Sequence, residues 1–220
     1  MKEEYDLATK KRRLKQLLIT PVFFGVLVGG WFYPVLGFFI PLCMVMGLAI
    51  AGFRGRKWCD WFCPRGSFYD SCMAPLSPKK EIPRVLKNTP FRLGALAFLM
   101  TVMGVNLVLR WPSLNKIGLF FVTLLSVTTG LGIVLALLIH PRTWCTFCPI
   151  GTLINLTSKK KYPLRIDSNL CIDCRLCHEV CPVQISPYKF KKSGIAVVED
   201  GDCLKCNLCV AVCPKKALSR

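Results

Sequence analysis

The sequence predicts an α-helical membrane protein, a four-helix transmembrane bundle made of two repeated hairpins, followed by a small α+β domain held together by metal clusters. Three observations predict this fold class. Four long apolar runs fill the first two-thirds of the chain, a short cysteine motif follows the second and the fourth run, and eight regularly spaced cysteines occupy the last fifty residues. With 53% hydrophobic and only 19% charged residues, the 220-residue chain is too apolar for a wholly soluble domain.

The four apolar runs cover residues 17–33, 35–53, 91–109 and 117–139. Each is long enough to cross a hydrocarbon core of about 30 Å as a helix. The predicted organisation is therefore a basic tail at 1–16, a four-helix transmembrane domain at 17–157 and a C-terminal domain at 158–220, entered through a lysine-rich linker at 159–163. A cleaved signal peptide is the alternative for the first run, which lacks a small-x-small cleavage site and leads straight into the second run.

The distribution of Lys and Arg predicts the orientation. Six precede the first run, none separates the first two runs, eight lie at 54–90, two separate the third and fourth runs, and thirteen follow the fourth. By the positive-inside rule both termini are expected in the cytoplasm. All five tryptophans fall at predicted span ends and are interpreted as interfacial anchors: Trp31, Trp58, Trp61, Trp111 and Trp144.

The C-terminal cysteines form one pattern written twice, three cysteines at x2 spacing followed by x3-Cys-Pro. This is the run of bacterial two-cluster ferredoxins, in which the fourth cysteine ligates the other cluster. The predicted ligands of one 4Fe–4S cluster are Cys171, Cys174, Cys177 and Cys213. The predicted ligands of the second are Cys203, Cys206, Cys209 and Cys181. Two structural zinc sites or a disulfide framework are the alternatives.

The transmembrane half carries a second duplication. Residues 56–67 (RKWCDWFCPRGS) and 142–152 (RTWCTFCPIGT) both read basic-x-Trp-Cys, then Phe-Cys-Pro-x-Gly, although the second copy is one residue shorter between its cysteines. A parallel repeat about an axis along the membrane normal would bring the two motifs together. The sequence predicts a third 4Fe–4S cluster at the cytoplasmic face, on Cys59, Cys63, Cys145 and Cys148. A thiol–disulfide pair, a thiolate copper site and a cluster shared with a partner subunit are the alternatives.

Several other classes of site are not expected. Only two histidines exist, His140 and His178, and they cannot supply a bis-histidine haem within the spans, so no haem is predicted. Clusters of about −2 each would offset part of the formal charge of +18, and the remaining positive charge follows the expected membrane topology. No groove-reading motif occurs, so no nucleic-acid partner is expected. Cys43 and Cys72 are interpreted as plain buried or free cysteines.

On these motifs the chain resembles the NapH-like membrane ferredoxin family of bacteria and archaea, which is related to the C-terminal part of NosR and to CcoG-type proteins. The resemblance implies a multi-pass protein of the cytoplasmic (inner) membrane, in contact with membrane lipid. It also implies electron transfer between the quinone pool, or a membrane partner, and a redox partner protein. That partner would be another subunit of a redox complex or a soluble ferredoxin-like protein, and the complex could be a quinol dehydrogenase. The alternative is an assembly or copper-reducing membrane factor that uses the same four membrane-face cysteines.

Overall fold

Four helices dominate the computed structural model, which describes residues 2–158 and 162–220. The central lysines of the predicted linker, at 159–161, lie outside the described residues. By length and composition the four helices could each cross a membrane. These candidate spans are the helical segments Glu3–Phe32, Pro34–Arg54, Thr89–Arg110 and Leu114–Leu138.

The first helix is longer than its apolar run. Helix α1 covers Lys2–Phe32, so the basic tail expected at 1–16 is helical and continuous with the first span. No proline or glycine interrupts residues 2–20, and Glu3 and Glu4 lie in the first turn, where they favour the helix dipole. As a result Pro21 lies in the interior of the helix.

The second span starts with a tight turn of 3-10 helix, Pro34–Phe38, and continues as α2, Phe39–Arg54. This turn packs backbone to backbone against the start of α7, Leu114–Leu138. A Cβ built at Gly37 would lie 2.2 Å from the carbonyl oxygen of Gly118, so only glycine permits the contact. Helix α6, Thr89–Arg110, also contacts α7.

Each cysteine motif forms a pair of short helices after a long one. The first pair is α3, Lys57–Trp61, and α4, Pro64–Phe68. The second pair is α8, Thr143–Phe147, and α9, Pro149–Ser158. The prolines stand at the first helical position, where their missing N–H costs nothing. A π-helical turn at Tyr69–Met73 and helix α5, Arg84–Lys87, complete the loop before α6.

The C-terminal domain is small and mixed. Strands β1 (Leu164–Asp167), β2 (Ile195–Val198) and β3 (Leu218–Ser219) form an antiparallel sheet in the order β2-β1-β3. Between the strands lie α10 (Leu176–Glu179), a 3-10 turn (Pro187–Phe190) and α11 (Leu208–Val212). Ile166 on β1 pairs with Ala196 and Leu218, and these three side chains are buried in the core of the domain.

The outer faces of the long helices are strongly apolar. Phe32, Phe53 and Val108 are each at least 76% exposed, which is the expected surface for contact with lipid tails. Trp31 and Trp111 are exposed, but Trp58 and Trp144 are buried. The interpretation of these last two as interfacial anchors is therefore wrong.

The two buried tryptophans pack on glycines of the preceding helices. A Cβ at Gly47 would lie 3.1 Å from Cδ1 of Trp58, and a Cβ at Gly132 would lie 3.4 Å from Cβ of Trp144. The absence of a side chain at Gly47 lets the indole ring of Trp58 approach α2, whereas at Gly132 the closest neighbour is the hydroxyl of Tyr69, 1.9 Å from a Cβ built there.

Candidate metal centres

The four membrane-face cysteines lie together. Burial, and then the neighbouring thiols of Cys59, Cys145 and Cys148, raise the pKa of Cys63 well above its usual range. Burial is also the main cause that raises the pKa of Cys59 and of Cys145. The four thiols are thus close enough to act on one another electrostatically, although three of them are only partly buried. In the described part of the chain no three Cys, His, Asp or Glu side chains are arranged to hold a metal ion, and ligation of iron by these cysteines stays a prediction.

The surroundings of these thiols fit an anionic metal–thiolate group. The N–H of Gly66 donates to Cys63 Sγ at 3.4 Å, and Nη1 of Arg142 donates to Cys145 Sγ at 3.8 Å. Arg56 lowers the pKa of Cys59, opposing the effect of burial. Hydrogen-bond donors and cations of this kind stabilise a thiolate-bound cluster and tune its potential.

The arginine of each motif donates a hydrogen bond to a cysteine carbonyl oxygen of the other motif. Nη2 of Arg56, in the first motif, donates to the carbonyl oxygen of Cys145 at 2.5 Å. Nη1 of Arg142, in the second motif, donates to the carbonyl oxygen of Cys59 at 3.0 Å. Both arginine side chains are at most 1% exposed. Each motif therefore fixes the cysteine backbone of the other.

Glycines of the two motifs make room for these arginines. A Cβ at Gly66 would lie 2.9 Å from Nη1 of Arg142, and a Cβ at Gly151 would lie 2.6 Å from Nη2 of Arg56. Both distances are too short for a side chain. A side chain at either glycine would therefore displace the buried guanidinium of the opposite arginine, and at Gly66 it would also meet the carbonyl oxygen of Cys59 at 2.9 Å.

Asp70 neutralises Arg142. The carboxylate accepts hydrogen bonds from Nε and Nη2 of Arg142, at 2.8 and 2.6 Å. It also accepts hydrogen bonds from Nε2 of Gln16, at 2.8 Å, and from Nη2 of Arg12. Arg12 also bonds Asp60, between the first two cysteines. Burial alone would raise the pKa of Asp70, but Arg142 and Arg12 outweigh it and hold the pKa well below its usual range.

Arg56 is neutralised by a carboxylate of the C-terminal domain. Oδ1 of Asp202 accepts three hydrogen bonds: from Nη1 of Arg56 at 2.5 Å, from Nη1 of Arg92 at 2.9 Å and from Nδ2 of Asn155 at 2.8 Å. Burial would raise the pKa of Asp202, but Arg56 and Arg92 keep it below its usual range. This buried cluster joins the transmembrane domain to the C-terminal domain.

The C-terminal cysteines line two separate small pockets, each with a cavity of about 20 Å³. The first is lined by Cys171, Cys174, Cys177 and Cys213. The second is lined by Cys203, Cys206, Cys209 and Cys181. In both pockets the fourth cysteine comes from the other run, the arrangement that the x3-Cys-Pro spacing predicts; the identity of the bound group stays a prediction.

The backbone of the two loops fits clusters in the same way. Asp173 and Arg175 in the first loop have positive φ, and Lys205 and Asn207 have it at the equivalent positions of the second. Left-handed residues alternating with ordinary ones turn successive N–H groups into a concavity that suits anionic groups, iron–sulfur clusters included. The duplicated conformation favours two like anionic groups in the two pockets.

The two pockets differ in their distance from the membrane-face site. Cys206 lies near Asp60 and Arg12, whose charges act on its thiol, and α11 contacts α1. In contrast Cys174 is exposed and its neighbour Ile172 is 59% exposed. The second pocket therefore faces the transmembrane domain, and the first faces outward.

The remaining predicted residues lie elsewhere. His140 is buried and its Nδ1 accepts the backbone N–H of Arg142 at 3.2 Å. His178 Nδ1 lies 3.2 Å from the carbonyl oxygen of Ile185. Cys43 and Cys72 are partly buried and pack against apolar clusters.

Sequence reasoning missed the charged residues that support the membrane-face site. Asp70, Asp202 and Arg92 were not singled out, although Arg92 is a cation inside the third apolar run, which is a functional signal in a membrane helix. Asp70 and Asn155 also stand four residues after the glycine of their motifs, at equivalent positions. That alignment was a second available signal.

Comparison with known proteins identifies ferredoxin-type domains. Residues 36–83 and 117–165 each match a family described as "4Fe-4S binding domain". Residues 170–217 match a family described as "4Fe-4S dicluster domain". The chain is thus an iron–sulfur protein with ferredoxin domains of the electron-transport type and four apolar helices.

Two similar proteins come from the archaeon Methanocaldococcus jannaschii, and both are described as uncharacterized. MJ0749 is 27% identical over 197 residues, which cover 82% of this chain and 78% of the relative. MJ0750 is 27% identical over 144 residues, which cover 60% of each chain. No solved structure matches the chain.

Proposed function

We propose that the protein is a membrane-bound electron-transfer subunit that passes electrons between the membrane and a redox partner protein through three 4Fe–4S clusters. One observation carries the proposal. The four membrane-face cysteines lie between the apolar helices and the pocket of Cys203, Cys206, Cys209 and Cys181, which is held against them by the Arg56–Asp202 pair. When bound, the clusters would supply one-electron carriers at these three positions.

The membrane half is proposed to be a duplicated hairpin with both termini in the cytoplasm. Two matches to one domain family and the reciprocal arginine contacts support the duplication. The Lys and Arg distribution supports the orientation. Reporter fusions at Lys79 and Ser113 should fall on opposite sides of the membrane, and a result that places both on one side contradicts this topology.

The electron route runs from the membrane-face site to the inner pocket and then to the outer one. The exposed Cys174 and Ile172 make the outer pocket the place where a partner subunit or a soluble ferredoxin-like protein would exchange electrons. The exposed Arg175 of the same loop and the exposed Lys192 favour a partner with an acidic face, whereas Lys191 is already paired with Asp173.

A lipid-soluble carrier would meet the site in an apolar cavity of about 80 Å³ that reaches Cys148 between α2, α6 and α7. Arg65 and Trp144 line it, with the guanidinium 4.6 Å from the centre of the indole ring. Among the described residues, Nη2 of Arg65 and Nε1 of Trp144 are buried without a hydrogen-bond partner. A quinone carbonyl oxygen would accept hydrogen bonds from these two donors, and the flexible methionine side chains that line the cavity could move to admit the quinone ring.

A metal-handling function is the second candidate because of those methionines. Met44, Met100 and Met103 line the same cavity as Cys148. Thioethers together with a thiolate are soft ligands that select Cu(I). An assembly or copper-reducing factor would use this constellation, so the two candidates predict different effects of removing it.

Iron analysis tests the third cluster. Purified wild-type protein should contain about twelve irons per chain, against about eight if only the C-terminal pockets are filled. The Cys59→Ser/Cys145→Ser variant should lose about four irons and keep the electron paramagnetic resonance (EPR) signals of the C-terminal clusters. Cys72→Ser is the matched control and should keep all twelve. An unchanged iron content in the folded double variant excludes the third cluster.

Two further variants separate the candidate functions. Arg65→Gln should slow reduction of the clusters by a short-chain quinol while iron content stays constant. The triple exchange of Met44, Met100 and Met103 to leucine should leave that rate within a factor of about two, because Leu conserves volume and apolarity. If the triple variant loses tight Cu(I) binding and Arg65→Gln reacts normally with quinol, the metal-handling function replaces the quinone route.

A further inference from the structure

The arginines of the two cysteine motifs occupy equivalent positions but find their counter-ions in different domains. Arg142, of the second motif, pairs with Asp70, four residues after the glycine of the first motif. The carboxylate and the arginine both belong to the transmembrane domain. This half of the site is neutralised without any help from the C-terminal domain.

The other half lacks its carboxylate. Four residues after Gly151 stands Asn155, a neutral amide at the position equivalent to Asp70. Arg56 is 1% exposed, and an arginine buried so deeply requires a compensating anion. That anion is Asp202, which sits between Arg56 and Asn155, within hydrogen-bond distance of both side chains.

Two further features adapt the interface to Asp202. Arg92 is buried at the start of α6, and its two terminal nitrogens each donate a hydrogen bond to one oxygen of the Asp202 carboxylate. Gly201 approaches Asn155 so closely that a Cβ there would lie 1.9 Å from Oδ1 of Asn155. The loop is therefore shaped to insert its carboxylate between the two arginines.

We propose that Asp202 replaces the carboxylate missing from the second motif and so docks the C-terminal domain on the transmembrane domain. Cys203, which lines the inner pocket, directly follows Asp202 in sequence. Arg56 in turn bonds the carbonyl oxygen of Cys145 in the membrane-face site. One guanidinium thus links the two cysteine sites, and Asp202 is a positioning residue for electron transfer between them.

Hydrogen–deuterium exchange of the full-length protein in detergent tests the docking. Asp202→Asn should raise amide exchange at 199–206 and in α11 by about tenfold or more, because the buried ion pair is lost. Iron in the C-terminal pockets should stay constant. Asp167→Asn, the same change on β1 of the same domain, is the control and should leave exchange unchanged. Unchanged exchange at 199–206 in Asp202→Asn overturns the proposal. The readout does not depend on whether the membrane-face cysteines hold a cluster.

Asn155→Asp provides a second route if Asp202→Asn fails to fold. This variant keeps both arginines and Asp202 but places a second carboxylate where an amide now donates at 2.8 Å. The new carboxylate removes the hydrogen bond from Nδ2 of Asn155 and competes with Asp202 for Arg56, so exchange in the same segments should rise even though Arg92 partly offsets the added charge. Exchange as low as in the wild type would show that docking does not require the contact of Asp202 with Asn155 and Arg56, and would overturn the proposal.

The double variant Asn155→Asp/Asp202→Asn moves the carboxylate from the C-terminal domain to the transmembrane domain. Thermal stability should recover relative to Asp202→Asn, because Arg56 again has an anion, but exchange at 199–206 should stay raised. Magnetic interaction between reduced clusters, read from EPR line shape, should be weaker than in the wild type. Full recovery of exchange protection would show that the carboxylate need not come from the C-terminal domain, which contradicts the proposed role of Asp202.

Discussion

Replacing Asp70 with asparagine removes the carboxylate that neutralises one half of the membrane-face site. Asp70 accepts two hydrogen bonds from Arg142 and one each from Arg12 and Gln16. An asparagine of the same shape keeps one acceptor oxygen and loses the charge. Because Arg142 is fully buried, its guanidinium cannot be solvated by water in compensation.

The expected cost follows from this burial. Removing one partner of a buried ion pair costs about 3–5 kcal/mol, since the remaining charge is left uncompensated. For a chain of this size that corresponds to a fall in melting temperature of roughly 6–20 °C. Arg142 also holds the carbonyl oxygen of Cys59, so iron should be lost from the membrane-face site before the C-terminal pockets.

The assay is thermal unfolding in detergent, followed by circular dichroism, together with iron analysis. Asp6→Asn is the control. Asp6 is exposed on α1, so removing its charge should change neither the melting temperature nor the iron content measurably. If Asp70→Asn melts within 2 °C of the wild type and keeps all its iron, the buried pair does not support the site.

Two further predictions concern a buried histidine and a motif glycine. Burial lowers the pKa of His140 to about 4, and its Nδ1 accepts the N–H of Arg142. The unfolded chain therefore takes up this proton first, so stability should fall between about pH 6.5 and 4 by up to about 1.4 kcal/mol per pH unit. His140→Asn keeps an acceptor and should flatten this part of the stability–pH curve; a curve parallel to that of the wild type contradicts the assignment. Gly151→Ala places a Cβ 2.6 Å from Nη2 of Arg56 and should cost about 1–3 kcal/mol. Gly104→Ala, where a Cβ meets nothing within 4 Å, should be neutral in the same unfolding measurement, and equal losses in both variants would argue against crowding at Arg56.

The features predicted best from the sequence are those fixed by short-range spacing. The x2 and x3 intervals determine which cysteines can share a loop, and in the structure Cys213 does line the pocket of Cys171, Cys174 and Cys177. Four apolar helices follow from run length and composition alone. The start of α1 could not be predicted from hydropathy. Charged residues such as Lys10 and Arg12 lie outside the apolar run, but they are good helix formers, and the helix continues through them.

The supporting charges were missed because they join distant parts of the chain. Arg56 and Asp202 are 146 residues apart, and Arg142 and Asp70 are 72 apart. No local pattern links such pairs. The sequence does show that Asp70 in the first motif is replaced by Asn155 in the second. This difference can be interpreted only in the structure, where Asp202 supplies the carboxylate that the second motif lacks.

This asymmetry gives the docked state an electrostatic consequence under the proposed function. A thiolate-bound cluster at the membrane-face site carries about −2, and the nearby guanidinium groups of Arg56 and Arg142 offset that charge. Asp70 permanently balances Arg142, whereas Asp202 balances Arg56 only while the C-terminal domain is docked. Docking therefore places a negative charge beside Arg56 at the same moment as it brings Cys203 and Cys206 close to the membrane-face site. Asp202 also directly precedes Cys203, so the same charge acts on the inner pocket, and the carboxylate opposes an added electron at both sites rather than favouring one direction.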